Sequence, residues 1–386
     1  MSRTQIIFFT ILFIVILLSG CSSHNESERM LYIHGIGIDY EDDMYTIYAQ
    51  VINFSTVAKS EQPDGESEHS EVGQASGKTV DEAIFNLYHS LDQKLFWGHL
   101  TFVVYSEEAL KKGRMNTVID LLSRYREIRY QIWFYSTEDS VKDVLLTVPI
   151  INTSLALSRL GDPRNSYMQE SFIEPVNMRM TIIGLNEPSH EAVMPVISIV
   201  KNWETIEGKN DIAKVIGVGV VSKDGFKGFI TSDKARGLRW MNNKMKRTEI
   251  SIDTGEGEDE ENVTITVGKI KKNVDPVVES DTLKFDINVK MTIEIASIQG
   301  KVTIEQIRKQ LEKKIEQEIK ETYKEALKRD IDIYRLSEYL YRENVKAWKR
   351  VEQDGKVELT DNSIGKLDIK IKEIKSGRKS FKETIK

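Results

Sequence analysis

The sequence predicts a mixed α/β (α+β) fold, multi-domain, with mixed sheets packed by helices and one long helix near the C-terminal end. Three observations carry this. Short β-rich runs alternate with amphipathic stretches through the first half, in the order of strand–helix–strand units. Pairs of β-rich runs joined by brief turns occur near the start and again past the middle, as in antiparallel hairpins. Residues 303–329 carry an apolar side chain at every fourth position from Ile307 to Leu327, the pattern of a helix with one buried stripe. A chain of 386 residues can bury a proper core and favours two or three domains. The expected division is a leader over residues 1–20, a tether over 21–29, an N-terminal mixed domain over 30–205 and a C-terminal domain over 211–386, subdivided near 250–265.

The N-terminus decides where the rest of the chain works. Arg3 precedes an apolar run over residues 6–18, which closes on Leu18-Ser19-Gly20-Cys21. The run is shorter than the roughly 20 apolar residues of a spanning helix and has the layout of an export signal. A branched aliphatic, two small residues and then cysteine form the bacterial lipobox, in which lipid alkylates the thiol and the chain is cut before it. Cys21 is the only cysteine, which removes disulfide and cysteine-cluster metal readings. Lipobox proteins receive a diacylglycerol, and two acyl chains suffice for stable anchoring. Residues 22–29 then form a polar spacer. Cleavage before Cys21 leaves 53 basic and 60 acidic residues, a net charge of −7. That balance argues against nucleic acid as a partner.

Residues 30–39 and 44–54 form the first expected hairpin. Gly35-Ile36-Gly37 lacks the third glycine of a dinucleotide loop, so the glycines are read as close-approach or bulge positions. Residues 60–77 are polar and acidic, and read as a long loop. Thr79-x-x-Glu82 opens a helix whose apolar face runs Val80, Ala83, Ile84, Leu87, Tyr88, Leu91 and Leu95. A strand at 100–105, a helical region broken at Gly113, and a strand at 130–135 imply a right-handed crossover and a parallel pair. A helix over 136–148 stops at Pro149. Prolines then divide residues 152–202, leaving expected strands at 178–183 and 193–200. Residues 203–211 read as a boundary.

In the second half, residues 215–221 and 226–230 form another hairpin. A short helix follows over 232–241, with Trp240 in the core. The acidic residues 253–262 offer a cation site or a solvated tip, and the second is favoured. Strands are expected at 263–269, 283–295 and 367–374. The four-residue repeat of the long helix overshoots a full turn by about 40° per step, so its stripe winds and its two ends pack on different elements. Residues 330–350 continue as a second helical segment. From Lys366 onward eight Lys/Arg face three Asp/Glu, a basic end suited to anionic headgroups or to solvent.

No catalytic constellation emerges. His24, His34, His69, His89, His99 and His190 show no metal-ligand spacing, and there is no nucleophile elbow or phosphate loop. Asp330-x-Asp332 starts like a calcium loop but has Arg335 and Tyr341 where glycine and glutamate belong.

Several segments, in order, resemble one family. They are the lipobox followed by Gly35-Ile36-Gly37-Ile38-Asp39 and Gln50-Val51-Ile52-Asn53, then Trp97-Gly98-His99, then Ser106-Glu107-Glu108-Ala109-Leu110 with Gly113. Arg124-Tyr125-Arg126-Glu127-Ile128-Arg129 comes next, then residues 217–230 with Gly237-Leu238, and Asp330-Ile331-Asp332 through Trp348-Lys349. The chain resembles the Ger(x)C family, the C-subunit lipoproteins of spore germination nutrient receptors. The resemblance implies a non-catalytic subunit with no cofactor and no metal, modified at Cys21. It implies assembly with the membrane-embedded A and B subunits at the spore inner membrane, on the outer face of the cell membrane. Direct small-molecule binding is left open, and an extracytoplasmic solute-binding lipoprotein is the alternative. Trp97, Gly98 and His99 are read as packing residues, with His99 a hydrogen-bonded core histidine.

Overall fold

The computed structural model describes residues 30–52, 71–152, 154–206, 208–254, 261–279, 282–300 and 302–375, with Arg3 and Gln5. Cys21, the rest of the leader, the tether, residues 53–70, most of the acidic loop and residues 376–386 lie outside them.

The first sheet has nine strands. β1 (Met30–Glu41), β2 (Met44–Ile52), β3 (Glu71–Gly77), β4 (Lys94–Phe96), β5 (Phe102–Ser106), β6 (Trp133–Thr137), β7 (Glu191–Thr205), β8 (Gly208–Ser222) and β9 (Gly225–Thr231) are arranged β3-β2-β1-β5-β6-β7-β8-β9, with β4 also beside β1. The expected hairpin of β1 and β2 is present. Asp42 and Asp43 both take positive φ, as a two-residue hairpin loop requires. β5 and β6 form the expected parallel pair. The stretch 203–211, read as a boundary, falls within the β7–β8 hairpin, where Trp203 pairs with Asn210 and Thr205 with Gly208, and the sheet continues through β8 to Thr231.

Helices cover both faces. On one, α1 (Val80–Tyr88), α2 (Glu107–Leu110), α3 (Arg114–Arg124) and α6 (Met178–Asn186) bury Ile36, Ile38, Val103, Tyr105 and Phe134. On the other, α4 (Val141–Leu145) lies against Phe102, Val104 and Tyr135, while α5 (Pro163–Gln169) follows further along the chain. The β1 glycines create this second face. A Cβ on Gly35 would sit 2.3 Å from the Phe102 ring, and one on Gly37 2.2 Å from Val141 Cγ1. The glycines are thus the close-approach positions that the sequence leads one to expect.

The second sheet is β10 (Thr248–Asp253), β11 (Asn262–Glu279), β12 (Thr282–Ile298) and, after the two-stranded β13 (Glu352–Gln353) and β14 (Lys356–Val357), β15 (Ile364–Lys375), in the order β10-β11-β12-β15. In β12, Phe285, Ile287, Val289, Met291 and Ile293 are buried in strict alternation, so one face meets the core. The core is completed by α7 (Gly237–Trp240), α8 (Ile304–Leu327), α9 (Leu336–Glu343) and α10 (Val345–Val351). Thr303 and Gln306 cap α8 reciprocally. Its stripe is buried from Ile307 to Tyr323 and reaches different partners at each end. Arg308 donates to the Ile371 carbonyl of β15, whereas Thr322 Oγ1 accepts from the Gly237 amide at 2.9 Å and donates to the Lys234 carbonyl at 2.6 Å. Gly237 permits that approach, since a Cβ there would fall 2.5 Å from the Glu318 carbonyl.

Five expectations are corrected. Residues 178–183 are helical, not a strand: Asn177 caps the Met180 amide, and Met178, Thr181 and Leu185 are buried at helical spacing. Residues 71–77, read as part of a loop, are the edge strand β3, held by backbone pairing to β2. The helix opened by Thr79 ends at Tyr88, and Leu95 belongs to β4. The expected 136–148 helix is confined to α4, because Ser136 and Thr137 finish β6. Residues 330–350 are two helices, with Arg335 in a left-handed conformation before α9 and Asn344 between α9 and α10.

Candidate functional site

The polar residues concentrate at the seam where β7 meets residues 330–357. Ser189 and His190, both at positive φ, turn the chain into Glu191. Such strain persists only where surroundings over-determine it, and here they do. The Ser189 amide donates to the Gly355 carbonyl at 2.9 Å, and its hydroxyl to Asp332 Oδ2 at 2.8 Å. The Asp332 amide donates to Glu191 Oε2 at 2.9 Å. Asp332 in turn accepts from the Leu336 and Ser337 amides at 2.7 and 2.8 Å, closing the first turn of α9. Arg335 donates to the Glu191 carbonyl at 2.6 Å, and Lys356 Nζ lies 3.3 Å from Glu191 Oε1. Glu191 is buried, and burial raises its carboxyl pKa above the ordinary range against the opposing pull of Lys356. For Lys356, burial pulls downward but Glu191 and Asp330 outweigh it, so its ammonium is held more firmly than usual. The Asp330-x-Asp332 pair is therefore a joint: one aspartate caps a helix and the other pairs with Lys356. Sequence reading missed Ser189 and Glu191, which lie over 140 residues from Asp332; only the apolar Ile331 and Ile333 around Asp332 hinted at its burial.

A second buried ionic group joins α7 to α8. Glu318 Oε2 accepts from Arg239 Nη2 at 3.0 Å and from Trp240 Nε1 at 2.6 Å, and the Arg239 guanidinium also lies over the Trp240 ring. Trp240 is fully buried, as expected from the sequence, but its acidic partner was not legible.

A cleft of about 660 Å³ lined by Ser189, His190, Glu191, Asp330 and Lys356 opens at the seam itself, and two more flank the joints. One, of about 570 Å³, is lined by Tyr135, Arg159, Tyr167, Lys214 and Arg236 among others. The other, of about 350 Å³, is walled by Phe172, Met180, Val193, Leu238 and Tyr339, with Glu174 and Arg335 on its polar side. Neither lining contains a cysteine or histidine, and the first cleft's Arg236 is paired with Asp233 at 2.6 Å. Among the described residues no three His, Cys, Asp or Glu side chains come together to hold a metal.

Trp97 is buried and donates from Nε1 to the Tyr88 hydroxyl at 2.8 Å, as a packing residue should. His99 is corrected: it is exposed, with its ring edge-on to Tyr32 at 5.1 Å, because it sits at the solvent end of the turn before β5. The buried histidine is His34, whose Nε2 donates to the Leu155 carbonyl at 3.2 Å.

Comparison with known proteins accounts for nearly the whole chain. Residues 23–199 match the spore germination protein N-terminal domain family, and residues 216–373 match the spore germination B3/GerAC-like C-terminal family. Spore germination protein KC of Bacillus subtilis (strain 168) is 23% identical over 384 residues, covering 91% of each chain. Spore germination protein B3 of the same organism is 24% identical over 294 residues, covering 75% of this chain and 74% of that one. The crystal structure of the GerBC protein shares the fold, with a TM-score of 0.53 at 18% identity, covering 88% of this chain and 96% of that one.

Proposed function

The chain belongs to the GerAC family of spore germination proteins, and from that membership we propose that it is the lipid-anchored, non-catalytic C-subunit of a nutrient germinant receptor. The observation that carries the reading is the conjunction of a lipobox ending at Cys21 with family matches through both halves of the chain. Export and acylation place the folded body on the outer face of the cell membrane, which in a spore is the inner membrane. Among the described residues no helix is long and apolar enough to cross a membrane. In this reading the body acts through the membrane-embedded A and B subunits, and its joints suit a rigid adaptor: Glu191, Asp332 and Glu318 are each buried and engaged by neighbouring donors.

The solute-binding alternative would use the cleft of about 350 Å³, whose walls are mainly apolar. A genetic test separates the readings at the level of the cell. Spores lacking the gene should form normally yet fail to germinate with at least one nutrient. Normal germination with every nutrient would remove the receptor assignment.

A further inference from the structure

We propose that Leu146, Val148, Ile151 and Leu157 form an apolar foot that rests in the bilayer interface and fixes how the folded body stands on the membrane. The proposal rests on the Cys21 anchor, since it is the anchor that brings this surface to the lipid.

Fourteen large apolar residues are exposed among those described, and these four lie close together in the chain: Leu146 and Val148 at 42%, Leu157 at 62% and Ile151 at 91%. The surrounding composition is equally one-sided. Residues 146–161 contain no aspartate or glutamate and one basic residue, Arg159, in a chain with 60 acidic residues. A segment with no acid and several exposed aliphatics, its nearest carboxylates in the chain being Asp143 and Asp162 outside it, suits an anionic bilayer interface, where carboxylates are repelled and apolar side chains sink to the headgroup boundary.

The backbone presents these side chains outward. Ile151 has φ 57° and ψ 40°, a left-handed conformation that a β-branched residue seldom adopts. Its side chain gains almost nothing from the protein in return, so intramolecular packing does not account for the strain.

Position links the foot to the tether. Leu155 is buried with Tyr32 and Ile52, beside Met30 at the start of β1. Nine peptide steps separate Cys21 from Met30, and a fully extended chain of that length reaches at most about 30 Å. The exposed Trp203 and Ile206 lie elsewhere. Ile38 of β1 is level with Tyr105, Ser136 and Val196 across the parallel strands. β1 begins eight residues before that level and β7 ends nine residues beyond it, so the β7–β8 tip is about 50 Å from Met30 along the strands. A single flexible tether leaves orientation free. A second apolar contact at the tether end removes that freedom and directs the opposite end of the sheet away from the bilayer.

The test uses the full lipid-modified chain in vesicles of phosphatidylglycerol and phosphatidylethanolamine, with a nitroxide at Ile151→Cys or, as control, at Ile206→Cys. Both positions are exposed, so neither substitution disturbs a core, and acylated Cys21 takes no label. A side chain sunk about 5–10 Å into the interface meets oxygen but not a water-soluble nickel chelate. The expected result is a several-fold lower chelate collision rate at 151 than at 206, with oxygen access retained. Equal chelate access at both positions while the chain still floats with the vesicles overturns the foot and leaves the anchor intact. Shielding of 151 from both reagents means that protein covers it, a partner or a second copy, and also overturns the proposal. Chain that fails to float and takes label at Cys21 refutes the anchor, and the foot with it.

Discussion

Replacing Glu318 with alanine is expected to destabilise the chain by about 3–5 kcal/mol, the range for removing one partner of a buried ion pair. The side chains of Arg239 and Glu318 are both largely withdrawn from water, with 3.0 Å between Nη2 and Oε2. Glu318→Ala leaves the guanidinium charged in a site that cannot solvate it, and strips the acceptor from the Trp240 indole N–H. Since α7 and α8 meet at this point, the loss should appear as a lower urea midpoint. The paired change Glu318→Leu with Arg239→Met should cost much less, because removing both charges also removes their desolvation penalty. A Glu318→Ala chain within about 1 kcal/mol of the parent would mean that the group contributes little to holding the helices together.

Cys21→Ala is expected to move the protein from the membrane fraction to the soluble fraction. Without the thiol there is no site for acylation, and each methylene of two acyl chains contributes about 0.8 kcal/mol of membrane affinity. The apolar run over residues 6–18 is too short to replace it as a stable span. The foot of Leu146, Val148, Ile151 and Leu157 offers enough apolar surface to orient a tethered body and too little to retain a free one. Unchanged membrane retention of Cys21→Ala would count against lipid anchoring.

Elements that announce themselves through local pattern are legible in the sequence. The β1–β2 and β8–β9 hairpins, the parallel β5–β6 pair and the winding stripe of α8 follow from alternation, turn residues and a four-residue repeat. Failures occurred where a long-range partner decides the state. β3 is polar and glycine-bearing because it is an edge strand whose small residues lie under α1, and its pairing with β2 is invisible locally. The 178–186 stretch contains residues equally at home in a strand, and the Asn177 cap tips it to helix. The joints were less legible than the fold. Asp332 was noticed for a calcium-like spacing, yet its actual partners are Ser189 and Glu191, brought from more than 140 positions away. His99, expected in the core, is exposed, whereas the buried His34 meets the carbonyl of Leu155, 121 positions away, a partner that neighbours in sequence do not reveal.

The lipid at Cys21 bears most directly on the account, because receptor assembly at a membrane and the apolar foot both depend on it. Mass analysis of the N-terminal peptide of the chain isolated from spore membranes measures it. The expected peptide begins at Cys21 and carries the added mass of a diacylglycerol thioether. A peptide that still begins at Met1, or one with a bare thiol at position 21, would contradict the account.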